Sequence, residues 1–157
     1  MPARVSVTTR IVPGEVPLDV LRRRVTERPD YVRVGLPDVP HQDSAITLAQ
    51  LGAIHEYGAP RRNIPERPFL HPSLRAAQPQ LAKLAGELLF QVQNGKLVKR
   101  AALERLGFAG VGIVQRYIRD SSHFTELKPA TVARKGSSKP LIDTGQMIQN
   151  VTFQVER

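Results

Sequence analysis

Two spacings of apolar residues alternate along this chain. Val5, Val7, Thr9 and Ile11 interleave with Ser6, Thr8 and Arg10, the period of a strand with one face buried. "YVRVGL" from Tyr31 reads as a second strand, and Val151, Phe153 and Val155, alternating with Thr152 and Gln154, as a closing strand able to pair with an earlier one. Between them the spacing lengthens to three and four. Pro17 can open a short helix through "LDVLRRRVTE", which Pro29 ends by excluding helical geometry from Arg28. After the proline-broken loop "LPDVPHQ", Asp43 or Ser44 can cap a helix with Ile46, Ala49, Ala53, Ile54 and Tyr57 on its apolar face, and Gly58 is placed to stop it. Leu81, Leu84, Ala85, Leu88 and Val92 line a further helix, broken at Asn94-Gly95. Leu103, Leu106, Gly110, Ile113, Val114 and Tyr117 share a face of the last. A glycine inside a helix costs about 1 kcal/mol relative to alanine, so its presence there points to close backbone approach.

Two stretches lack either period. Residues 59–72, "APRRNIPERPFLHP", hold four prolines in fourteen residues; they read as a stiff, extended Pro-rich arm, unsuited to a helix or a central strand. Residues 121–140 are polar around a Gly-Ser-Ser centre, and are expected to form a long mobile loop.

Composition bounds the function. The chain has 157 residues, 41% of them hydrophobic, so residues 1–157 are expected to form a single domain with a core that needs no staple. It contains no cysteine, which excludes disulfides, thiolate metal sites and thiol nucleophiles. No apolar stretch approaches signal-peptide or membrane-span length, so a soluble, unexported protein is expected. The net charge is +9 and the pI near 10.6. Such a balance favours adsorption to acidic surfaces, and with "LRRRVTER" it keeps a nucleic-acid-binding protein in view. Against that reading, aromatics make up only 5% of the chain, too few for a stacking platform.

Several fragments look catalytic and lack what the chemistry needs. "LIDTGQ" presents Asp143 as retroviral-type aspartic proteases present theirs, but such enzymes pair two carboxylates and build a barrel and flap around them. Only twelve residues follow Gly145. Asp143, Thr144 and Gly145 read instead as a structural turn, with local bonds from the polar pair and a positive φ at the glycine. "HEYGA" has Ala59 where a zinc protease needs its second histidine. "GFAGVG" follows a helix rather than a strand, so it is no dinucleotide loop. No catalytic residue, cofactor site or metal site is expected.

Three blocks in order carry a resemblance: "VRVGLP", "LAQLGAIHEYGAPRRNIPERPFLHPSL" and "FTELKPATVARKGSSKPLIDTGQMIQNVTFQV". Together they resemble the tailed-bacteriophage virion-morphogenesis or tail-completion family, small neck proteins between the capsid portal and the tail. Its strongest element is His55-Glu56-Tyr57-Gly58 followed by Ile64-Pro65-x-Arg67-Pro68-Phe69-Leu70; the second runs from Leu127-x-Pro129 to Asp143-Thr144-Gly145. The match spans most of the chain from Tyr31 onward.

The resemblance implies an α+β fold, a small antiparallel sheet packed against two or three helices, and a non-enzymatic structural role joining head to tail. It implies a homo-oligomeric ring, hexamer or dodecamer, seated between a head-side adaptor or portal ring and the tail terminator or tail-tube proteins. A tail-tube terminator ring of the same junction is the alternative. Location in the virion neck follows, with assembly in the bacterial cytoplasm, no membrane partner and at most non-specific contact with packaged DNA. His55, Glu56, Tyr57, Arg61, Arg62, Arg67, Phe69 and Leu70 are the expected subunit or partner contacts. Phe69 and Leu70 serve as apolar anchors on the stiff arm, and the arginines as forked partners for carboxylates. The 121–140 loop is expected to order against the next ring.

Overall fold

The long helical period near the end of the sequence becomes the axis of the fold. The computed structural model describes residues 30–42, 45–124, 129, 132–133, 141 and 145–156, and all of these except Asp30 and Tyr31 belong to one compact unit, Val32–Glu156. The predicted strand at residues 5–11, the helix after Pro17, and Asp43, Ser44, Asp143 and Thr144 lie outside the described residues. The elements are strand β1 (Tyr31–Gly35), helices α1 (Leu48–Tyr57), α2 (Leu70–Ala76), α3 (Gln78–Gln93), α4 (Lys99–Arg119) and α5 (Gln146–Gln149), and strand β2 (Thr152–Glu156). β1 and β2 form a two-stranded antiparallel sheet. The architecture is α+β, as the resemblance implies, with five helices among the described residues.

α4 packs against β2, α3, α2 and α5. Its buried positions are Ala102, Gly107, Gly110, Ile113, Val114 and Ile118, close to the predicted face, and its glycines lie where the sheet comes nearest. A methyl group on Gly107 would collide with the ring of Phe153 in β2, and one on Gly110 would lie 2.9 Å from Cγ2 of Val34 in β1. The expected close approach is therefore present, and it decides how alanine acts at each site. Gly107→Ala should lose about 1–2 kcal/mol, because forcing the sheet off the helix outweighs the helix-propensity gain. Gly86 in α3 has nothing within 4 Å of its added methyl, so Gly86→Ala should gain up to about 1 kcal/mol. Denaturant midpoints of the two variants should move in opposite directions.

α3 follows its predicted pattern, with Leu88 buried and Leu81, Leu84, Ala85 and Val92 half-buried. The predicted break also holds: Gly95 has φ 70°, and the Asn94 amide and side-chain Nδ2 both donate to Phe90 O, at 3.1 and 2.8 Å.

α1 departs from the prediction in its start and in its buried face. Thr47, not Asp43 or Ser44, is the cap. The Thr47 hydroxyl accepts from the Gln50 amide at 3.3 Å and Gln50 Oε1 accepts from the Thr47 amide at 3.1 Å, a reciprocal capping box. The buried stripe is Leu48, Gly52 and Glu56, while Ala53 and Tyr57 are exposed. Gly52 sets this rotation, since a methyl group there would lie 2.5 Å from Leu36 Cδ1 and 3.8 Å from Phe69 Cζ. The helix rolls toward the residue that allows contact, not toward its larger apolar side chains.

Two further expectations are corrected, and a third, the 121–140 loop, is described mainly at its start. The segment 59–72 is not extended throughout: Pro60–Arg62 is a 3-10 turn, and α2 begins at Leu70. Pro72 is tolerated because the first turn of a helix has no intrahelical use for its amide protons. The segment 121–140 is anchored at its start, with Ser121–His123 in a 3-10 turn, the His123 ring stacked on Tyr117 at 4.0 Å, and Phe124 buried. Beyond Phe124, all but Pro129, Val132 and Ala133 lies outside the described residues. Gly145 has the expected positive φ, 78°, but it opens α5 rather than leading directly into the strand.

Candidate interaction site

The segment 55–71 is organised around one buried carboxylate. Glu56, in the last turn of α1, is 7% exposed. Its Oε2 accepts from the amides of Phe69 and Leu70, both at 2.9 Å. Its Oε1 accepts from the His71 amide at 3.0 Å and contacts His71 Nδ1 at 2.8 Å. These amides are the unfilled donors at the N-terminus of α2, where the helix also concentrates positive potential. Phe69, the residue before the helix, has no side chain able to cap it. A glutamate thirteen residues earlier does that work. Burial alone would raise the Glu56 pKa, but the amides of Leu70, His71 and Phe69 and the His71 ring together outweigh it, so the carboxyl is held below its ordinary value.

This cap explains the course of the chain between α1 and α2. After Gly58, Ala59 and Ile64 exchange backbone hydrogen bonds at 2.9 and 3.1 Å, closing a small loop around Pro60–Arg62. Asn63, at φ 53°, completes the turn and donates its amide to Pro60 O at 3.0 Å. The chain then runs back beside α1, where the Arg67 amide donates to His55 O at 2.7 Å. Glu56 next secures Phe69 and Leu70. The result is a short loop tied at its neck, with Arg61 and Arg62 exposed at its tip.

The predicted contact residues therefore divide by depth. Tyr57, Arg61 and Arg62 are exposed; His55, Arg67 and Leu70 are half-buried. Phe69, expected to be a surface anchor, is 2% exposed and sits in the core with Val114, Ile118 and Met147. Glu56, expected at a contact surface, faces inward. Both assignments are corrected for the same reason: the carboxylate draws the start of α2 onto the core and carries Phe69 with it. Sequence reasoning also missed His71, whose ring is 71% exposed yet fixed by Glu56 and lies 6.3 Å from the Tyr57 ring. A glutamate pairing with a helix start so far along the chain leaves no local periodic signal. The Thr47-x-x-Gln50 box, by contrast, does carry a local signal, which the choice of Asp43 or Ser44 passed over.

The exposed part of the site is basic and aromatic, a chemistry that can engage acidic groups. Among the described residues, no three His, Asp or Glu side chains gather closely enough to hold a metal ion, and no helix is long and apolar enough to cross a membrane. No family model, curated protein or solved structure matches this chain.

Proposed function

We propose that this chain is a structural virion protein of the tailed-phage neck, forming a ring that completes the tail and joins it to the head-side connector. The observation that supports this reading best is the loop carrying Arg61 and Arg62. Both guanidinium groups stand at the tip of a segment tied by the Ala59–Ile64 pair and by Glu56. A partner meeting this loop has little backbone freedom to remove, so contact energy goes into binding rather than ordering. Arginine suits the task because its planar fork can engage carboxylates in pairs. In a neck ring the contact would fall on an acidic surface of the neighbouring subunit or of the adjoining portal, adaptor or tail ring.

The experiment is complementation of a phage lacking this chain. Phe69→Ala is a poor probe, since a core truncation would abolish assembly by unfolding the protein. Arg61→Ala together with Arg62→Ala should leave the melting temperature of the purified protein unchanged, because both side chains are exposed. Filled heads and free tails should then accumulate unjoined, scored by electron microscopy of the lysate. Joined, infectious particles at wild-type yield would overturn the site assignment. Joined virions that contain none of this chain would overturn the function.

A further inference from the structure

The solvent side of α4 carries a pattern that the neck reading does not use. Glu104, Phe108, Gly112 and Arg116 follow one another at intervals of four, forming a single ridge along the helix. Phe108 is 68% exposed, although its ring makes an edge contact with Phe153 at 4.8 Å. On one side it borders an opening of about 460 Å³ between α3 and α4, with Gly112 and Arg116 also in the wall. On the other it borders an opening of about 540 Å³ between α4 and β2, with Glu104 in the wall. A methyl group on Gly112 would touch nothing within 4 Å. The ridge thus presents an exposed aromatic knob next to a vacant notch, with opposite charges at its two ends.

We propose that this ridge is a self-association surface, in which two copies of the chain pair through α4 about a two-fold axis with the helices antiparallel. Placing Phe108 against the partner's Gly112 puts Glu104 against the partner's Arg116, and the symmetry repeats both contacts. In the same register Arg105 meets the partner's Gln115, and Arg119 meets the partner's Ala101, so no like charges are opposed. A shallow crossing of about +20° keeps the two helices side by side over this length. Each Phe108 then fills the notch over a glycine, where backbones can approach closely. Glu104 already contacts Arg100 in its own chain at 3.0 Å, but that pair is exposed, and such pairs hold their partners weakly. Self-complementarity of this kind, with the same patch on both copies, is what a two-fold contact requires. The inference does not rest on the neck reading: the pair is a state of the free chain, since a ring with one face to the head and the other to the tail holds its subunits in one orientation.

Sedimentation equilibrium of the full chain at about 0.15 M salt tests it with charge exchange. The wild type should dimerise through this face. Glu104→Arg alone and Arg116→Glu alone should each weaken association by about tenfold or more, as expected for loss and reversal of a symmetric charge contact. The double variant E104R/R116E should regain it, because each new arginine faces a new glutamate on the partner. Phe108→Asp should abolish it. All three substitutions lie on the solvent side of α4, and circular dichroism melts of the four variants should show the fold retained. A wild type that stays monomeric up to about 100 μM, a double variant no tighter than the singles, or association that survives Phe108→Asp would each overturn the proposal.

Discussion

Phe69→Ala should cost the fold about 3–5 kcal/mol, the range for truncating a fully buried aromatic side chain. Phe69 is 2% exposed and packs in the cluster formed by Val114, Ile118, Phe124, Leu141, Met147, Ile148 and Val151. Those residues come from α4, from the segments that follow it and from α5, so the ring ties α2 to the rest of the core. Its neighbours cannot collapse into the space freely, because the Phe69 and Leu70 amides stay tethered to Glu56. Urea denaturation should show the midpoint falling with the slope unchanged. A loss below about 1 kcal/mol would place Phe69 among the surface residues and restore it as a candidate anchor.

Glu56→Gln should cost about 2–3 kcal/mol, the scale of a hydrogen bond to a charged group lost at a partly buried site. Glutamine keeps one acceptor oxygen for Phe69 and Leu70 but turns an NH2 group toward the His71 amide, setting donor against donor. The negative charge at the start of α2 is also lost. The effect depends on pH with a definite sign. The folded-state pKa of Glu56 is lowered, so its contribution is complete above the pKa of an unfolded glutamate. It is lost as pH falls through the depressed folded value. The stability gap between wild type and Glu56→Gln should therefore be constant near neutrality and close in acid. A gap independent of pH down to about 2 would mean that the carboxylate charge contributes nothing.

How much of this was legible depended on where each residue's partner lies along the chain. The faces of α3 and α4 and the alternation of β2 were readable, because their burial follows the period of the element itself. The face of α1 was not, because its stripe of Leu48, Gly52 and Glu56 contains one apolar side chain, one absent side chain and one charge. Counting hydrophobic residues chose Ala53 and Tyr57 instead. α2 was hidden by Pro68 and Pro72, which read as breakers although both lie at or before its first turn. The inward turn of Phe69 was hidden more thoroughly, since its cause sits in another helix. Within the segment singled out from the sequence, exposed and buried members were confused, Phe69 and Glu56 facing inward and Tyr57, Arg61 and Arg62 outward.

The antiparallel sheet has a consequence for synthesis. β1 lies at the start of the described unit and β2 near its end, so a chain emerging from the ribosome must carry an unmatched first strand until residues 152–156 appear. Helices α3 and α4 can pair earlier, since their contact is local, and Gly110 can already meet Val34 of β1, but Gly107 faces water until Phe153 arrives. Long-range strand pairing is slow compared with local helix docking, and half-made sheets expose sticky edges. A purified chain truncated after Asn150 should therefore be helical but protease-sensitive, and extending it through Glu156 should restore resistance.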